Sequence, residues 1–200
     1  MSLSTYADLQ AAVGNWLGGR TDLNSFIPDW ITLFEAAANR RLRVRQMEAV
    51  TTLTPSGGVA TLPTDFLIWR AVSWAGSRAR ELEYVHPSWL ALRYPSATAG
   101  SPNVFTIQGS SLQVAPIDDG PLTFDYYQKI PPLSTAVNWL YSNWPDVYLF
   151  GSLAESGGFT KDDNDIAKWI ARRDAGFLEI EILDKRAQGV GAIKVAGPTP

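Results

Sequence analysis

Cysteine is absent from the 200 residues, and histidine occurs once, at His86. The first absence excludes disulfide staples, thiolate nucleophiles and cysteine-based metal sites, so packing alone must hold the fold, as suits a reducing cytoplasm. No long apolar run is present either. The best stretch, Val147 to Ala154, is interrupted by Gly151 and ends at Glu155, far short of the roughly 20 residues that span a membrane. The opening residues, Met1 to Asp8, carry neither a positive stretch nor an apolar run, and no secretory signal is read there. Charge of one sign is not in excess: 17 basic residues face 20 acidic ones, a net charge of −3. That balance argues against a protein that wraps or scans nucleic acid. What the chain does have is 46% hydrophobic residues, enough to bury a core in one domain or in one domain with an insertion.

Helical periodicity marks both ends of the sequence. Ser4 or Thr5 can cap a first helix, with Asp8 in capping-box position and Tyr6, Leu9, Val13, Trp16 and Leu17 at helical spacing before Gly18-Gly19. Pro28-Asp29 suits the first turn of a second helix, whose face Ile31, Phe34, Ala38 and Leu42 extends to about Met47. Helical spacing returns at Pro145, with Val147, Leu149, Phe150 and Leu153, until Gly157-Gly158. A last helix starts in the acidic run Asp162-Asp163-Asn164-Asp165, carries Ile166, Trp169, Ile170, Arg173, Phe177, Ile180 and Asp184 on one broad face, and ends near Arg186.

Between these ends the pattern is strand-like. Val50 to Thr54, the turn Ser56-Gly57-Gly58 and Val59 to Leu62 read as a hairpin. Further runs follow at 67–74, 79–85, 104–108, 111–115 and 122–128, with a short helix at 87–94, and together they predict a compact antiparallel sheet. The expected fold is α+β: a bundle of about four helices from residues 1–48 and 139–186, a β-rich insertion at 49–138, and an extended C-terminal tail at 187–200 with one charge, three Gly and two Pro.

Residues that carry chemistry are scattered. His86 precedes Pro87 and lies near Ser88, a local pair that does not place a nucleophile against a base and reads as a turn. Counted from Asp162, the sixth and twelfth positions are Ala167 and Arg173, where a calcium loop needs Gly and Glu, so the acidic run reads as a helix cap. Glu81 with Glu83 and Glu179 with Glu181 are carboxylate pairs of the kind glycoside hydrolysis uses, but at period two on a strand, or scattered on a helix, they read as solvated faces. The doublets Gly18-Gly19, Gly57-Gly58 and Gly157-Gly158 lack the Lys and the strand-to-helix context of a phosphate loop. No catalytic, metal or cofactor site is expected, and the chain reads as an interaction protein, not an enzyme. Eight tryptophans, at 16, 30, 69, 74, 89, 139, 144 and 169, fit core packing or contact surfaces; with the carboxylate pairs they motivate the alternative of a carbohydrate-binding or carbohydrate-active tail component. The densest charge feature is Arg40, Arg41, Arg43 and Arg45. On a helix these side chains surround most of the circumference, and the alternatives are solvated salt bridges or contact with a neighbouring subunit or with DNA.

Several segments, taken in order, resemble the head-to-tail connector, or adaptor, proteins of tailed bacteriophages. They are 5–9 (Thr-Tyr-Ala-Asp-Leu), 27–31 (Ile-Pro-Asp-Trp-Ile), 35–48 (Glu35 through Arg45-Gln46-Met47-Glu48), 62–67 (Leu-Pro-Thr-Asp-Phe-Leu), 82–85, 126–133 (Tyr-Tyr-Gln-Lys-Ile-Pro-Pro-Leu) and 144–151 (Trp-Pro-Asp-Val-Tyr-Leu-Phe-Gly). The resemblance spans about residues 4 to 186. It implies a homo-oligomeric ring, commonly dodecameric, that docks beneath the portal protein in the virion neck and offers a surface to the next neck or tail protein. It implies further that the chain is made in the host bacterial cytoplasm and sits transiently near double-stranded DNA, with no membrane. In such proteins the C-terminal segment reaches onto the portal, which here makes Val190, Ile193, Lys194 and Val195 the expected portal contacts. Near-alternating apolar residues on a flexible tail suit strand addition or pocket filling, and repetition around a ring multiplies a weak contact.

Overall fold

The computed structural model describes residues 3–75, 80–95, 98–160 and 163–189. The chain is α+β and divides into two units, Met1–Gln46 with Ile130–Pro200, and Met47–Lys129. The candidate tail contacts Val190, Ile193, Lys194 and Val195 lie outside the described residues, as does Asp162.

The first unit holds the helices. In α1 (Tyr6–Trp16), Thr5 caps the helix: its Oγ1 accepts from Asp8 N at 3.1 Å, and the Asp8 carboxylate accepts from Thr5 N at 3.0 Å. Hydrogen bonds from Ser4 and Thr5 hold the Asp8 carboxyl below its usual range. Gly18 and Gly19 end the helix at φ 76° and 70°, in the left-handed region that favours glycine. The second helix, α2 (Ile27–Arg41), buries Ile27, Trp30, Ile31, Phe34 and Ala38. It stops short of the expected Met47 because Leu42 turns extended, at φ −80° and ψ 137°. Leu42 and Val44 are both buried while Arg43 and Arg45 are exposed. On a helix, residues two apart point about 200° apart, so only an extended strip hides both apolar side chains. This corrects the expectation that the arginines ring a helix.

After α4 (Trp139–Asn143) comes α5 (Pro145–Glu155), buried from Val147 through Leu153. A helix apolar on all sides sits at the centre of its unit. Its neighbours approach closely: a Cβ on Gly151 would lie 2.0 Å from the Phe34 ring, and one on Gly176 would lie 2.4 Å from Val147. A single turn, α6 (Gly157–Thr160), precedes α7 (Asp163–Gln188), the longest helix at 26 residues. Trp169, Phe177, Ile180 and Asp184 of the expected face are buried, whereas Ile170 is partly exposed.

The second unit contains two four-stranded sheets, where the sequence suggests one antiparallel sheet. The strands are β1 (Glu48–Leu53), β2 (Val59–Thr61), β3 (Phe66–Trp74), β4 (Arg80–Glu81), β5 (Glu83–Tyr84), β6 (Val104–Gln108), β7 (Ser111–Ala115) and β8 (Leu122–Gln128). Their orders are β1-β8-β3-β4 and β2-β7-β6-β5. The expected turn at Gly57-Gly58 forms, with both glycines at positive φ and Ser56 bridged to Val59. Yet β1 pairs with β8 and β2 with β7, so the turn carries the chain from one sheet to the other. The pair β5–β6 is parallel, which requires a crossover; the short helix α3 (Pro87–Arg93) lies within that connection. Leu53, Val72 and Phe124 of one sheet share a buried cluster with Phe105, Leu112 and Val114 of the other.

Candidate functional site

The arginine segment leaves the end of α2, and its side chains have different fates. Arg41 Nε lies 3.2 Å from Glu181 Oε1, with its guanidinium 5.7 Å from the Phe177 ring centroid. Arg45 meets Asp184 twice: Nε and the backbone N–H both donate to Oδ1, at 3.0 and 3.2 Å. Asp184 is 7% exposed, so this contact compensates a carboxylate almost withdrawn from water. Arg43 folds back and donates to Asn39 O at 2.7 Å and to Leu42 O, serving carbonyls at the end of α2 and the negative pole of its dipole. Arg40 is exposed and has no carboxylate partner among the described residues.

The consequence is positional. Phe34 stacks on Phe177 at 6.0 Å, and Arg41 and Arg45 follow on Glu181 and Asp184, so α2 and α7 run parallel and are pinned together near the end of α7. The candidate tail follows directly from that anchored end. Arg41 and Arg45 are held by carboxylates of α7 and Arg43 by carbonyls of α2, so three of the four arginines offered as partner contacts are engaged inside the chain, which a reading of local charge does not reveal.

A second cluster escaped the sequence reading. Glu35 and Asn39, one turn apart on α2, accept the backbone N–H groups of Leu133 at 2.7 Å and Ile130 at 2.8 Å. Glu35 also accepts from Tyr148 OH at 3.2 Å, and Asn138 Nδ2 donates to Tyr148 OH at 2.6 Å and to Pro131 O at 2.8 Å. Burial raises the Glu35 carboxyl above its ordinary value and raises the Tyr148 phenol. The signal was Glu35's place on an apolar face, four residues after Ile31 and three before Ala38. The network is a clasp that receives the chain as it returns to the helices at residue 130.

The other candidates take structural places. His86 caps α3, its Nδ1 accepting from Ser88 N at 3.3 Å. Glu81 and Glu83 stand on strands of different sheets, and Glu181 is occupied by Arg41. Asp165 pairs with Lys168 at 2.9 Å. Trp30, Trp74 and Trp169 are buried, whereas Trp16 and Trp89 are exposed in different units. Among the described residues no group of His, Asp or Glu side chains could hold a metal ion, and no helix is long and apolar enough to cross a membrane.

The family model of the SU10 adaptor protein matches residues 4–194. The chain belongs to that family. The match covers both units and agrees with the phage head-to-tail adaptor resemblance carried by the separate segments. Family membership makes the chain a bacteriophage structural protein of the head-to-tail connector kind. No curated protein matches it.

Proposed function

We propose that this chain is a neck adaptor that works by shape and interface and not by turnover. It forms a ring beneath the portal, dodecameric in the assembled particle, and links the DNA-filled capsid to the tail or to the next neck protein. The observation that carries this reading is the family match over residues 4–194. In this reading the four longer helices, α1, α2, α5 and α7, form the bundle that builds the ring, and residues 187–200 dock on the portal through Val190, Ile193, Lys194 and Val195. The anchoring of α7 by Arg41 and Arg45 supports the tail assignment, because a tail presented from a fixed point searches less space before it binds. Arg40, exposed and without a carboxylate partner among the described residues, is the member of the run left for a neighbouring subunit or for passing DNA. The chain is made in the host cytoplasm and resides in the virion neck.

The test is binding of the matching portal by the full chain and by a chain ending at Arg186. The shortened chain is expected to lose most of its binding while keeping its helical circular dichroism. Equal binding by the two would remove the tail from the mechanism.

A further inference from the structure

Besides the face it buries, α7 carries an exposed apolar one. Ala171, Ala175, Leu178 and Ile182 follow one another at spacings of four, three and four, which aligns them along one side of a helix. All four are exposed, Leu178 at 51% and Ile182 at 39%, while the buried face is built on Trp169, Phe177 and Ile180. Charge beside this stripe is sorted by position: Arg172 stands at its start, Lys185 and Arg186 past its end, and Asp174, Glu179 and Glu181 along its middle. Asp174 and Glu181 are taken by Arg173 and Arg41, and Glu179 has no ion-pair partner among the described residues. Around its first turn the stripe borders a hollow of about 300 Å³ whose walls include Trp16, Phe150, Trp169 and Arg172. Trp16 is half exposed there and meets Phe150 edge-on at 5.5 Å.

We infer that residues 190–200 fold back along α7 of their own chain and cover this face. The segment follows directly on α7, whose last turn closes with Gly189 N–H donating to Lys185 O at 3.0 Å. Gly189 and Gly191 stand on either side of Val190, and glycines permit a reversal at that point. From such a turn an extended segment advances about 3.3 Å per residue while the helix recedes by about 1.5 Å per residue. Ile193 then comes abreast of Ile182 at about 9–10 Å from the turn, and Val195 abreast of Leu178 at about 15–17 Å. Lys194, the only charge in the segment, arrives at about 13 Å, where Glu179 stands, and its long stem spans to that flank while its neighbours face the stripe. Pro198 reaches about 26 Å, level with the hollow between Lys168 and Arg172, and proline suits aromatic walls. Length, apolar pattern and the position of one charge therefore agree on a single occupant. Tethered at Gly189, the segment binds at high local concentration and is withheld from any partner that does not hold it more tightly. Applied to portal docking, this consequence rests on the neck-adaptor reading, and the experiment separates the two.

The absence of native cysteine makes introduced thiols unique. Ala175→Cys and Ala196→Cys lie about 20 Å from the turn on either arm and leave Leu178, Ile182, Ile193 and Val195 intact. The full chain carrying both, dilute and without portal, is treated with a short bis-maleimide and read by denaturing gel and peptide mass. The expected result is a link within single chains, independent of concentration, most of which is lost when Leu178→Ser and Ile182→Ser are added. Equal linking with and without the two serines overturns the inference, because an undocked tail links at random. Links between chains that grow with concentration place the tail on another copy and overturn it too. Lys194→Glu, which lies beyond α7 and leaves the helices untouched, should reduce the link, and Glu179→Lys in the same chain should restore it. A link indifferent to both charges overturns the pairing of Lys194 with Glu179. The matching portal is then added. Loss of the link as the portal binds supports both readings, whereas a link that persists on bound portal overturns the portal docking of the tail and leaves the folded-back tail standing. Failure of the wild-type chain to bind the portal overturns the neck reading alone.

Discussion

Glu35 shows how one side chain can set the pH response of a fold. Its burial raises the carboxyl above the ordinary value, so the folded chain holds that proton more tightly than the unfolded chain does. Its contribution to stability is therefore fully present below the unfolded pKa and is lost as pH rises through the raised folded value. Thermal melts from pH 7 downward should show wild type gaining on Glu35→Gln, with the two curves converging in shape below the ordinary carboxylate range. A constant gap across that range would mean that the carboxyl titrates alike in the folded and unfolded chains, so that burial does not shift it. The arginines make a second residue-scale prediction. Arg45→Ala takes the guanidinium away from the buried Asp184 carboxylate and should cost about 1–2 kcal/mol in urea unfolding, discounted from buried-pair values because the Arg45 side chain is half exposed. Arg40→Ala should stay within about 0.5 kcal/mol of wild type. Neither ranking is visible in the run itself, because the partners lie about 140 positions away.

At the scale of elements, legibility follows how local the cause is. The start of α1 was readable because its capping box lies within four residues, and the buried face of α7 because Trp169, Phe177 and Ile180 repeat at helical spacing. The end of α2 was not. Arginine and leucine are good helix formers, and only the burial of both Leu42 and Val44, a tertiary fact, stops the helix at Arg41. The division into two sheets was hidden for the same reason: the Gly57-Gly58 turn was legible, but which strand meets β1 is decided by β8, some 70 residues on. Gly151 lay open to view as a break in an apolar run, yet its reason is the Phe34 ring. Gly151→Ala should therefore destabilise by about 1–3 kcal/mol through overpacking, despite a helix-propensity gain of about 1 kcal/mol. Denaturant titration checks this, and a stabilised variant would show that α2 can retreat without loss.

For the whole molecule, the decisive arrangement is an insertion whose two ends are neighbours. Glu48 pairs with Tyr127 in the β1–β8 ladder, so the chain enters and leaves the β unit at adjacent strand positions, and joining them costs little loop-closure entropy. Residues 47–129 expressed alone should fold with a cooperative transition and a strand-rich circular dichroism spectrum. A non-cooperative transition would show that this unit needs the helices. The candidate site was only half legible at this scale. The tail and the arginines stood out by composition, whereas the clasp of Glu35, Tyr148 and Asn138 reads as ordinary polar sequence until the fold brings residues 35, 133 and 148 together.

The parallel course of α2 and α7 has a mechanical consequence. A pull on the C-terminal segment enters α7 at the end where Glu181 and Asp184 are held by Arg41 and Arg45, and the load runs along α7, parallel to α2. The ion pairs and the Phe34–Phe177 stack are then sheared together instead of being peeled one after another. Tension applied through the tail is borne by several contacts at once, close to where it arrives.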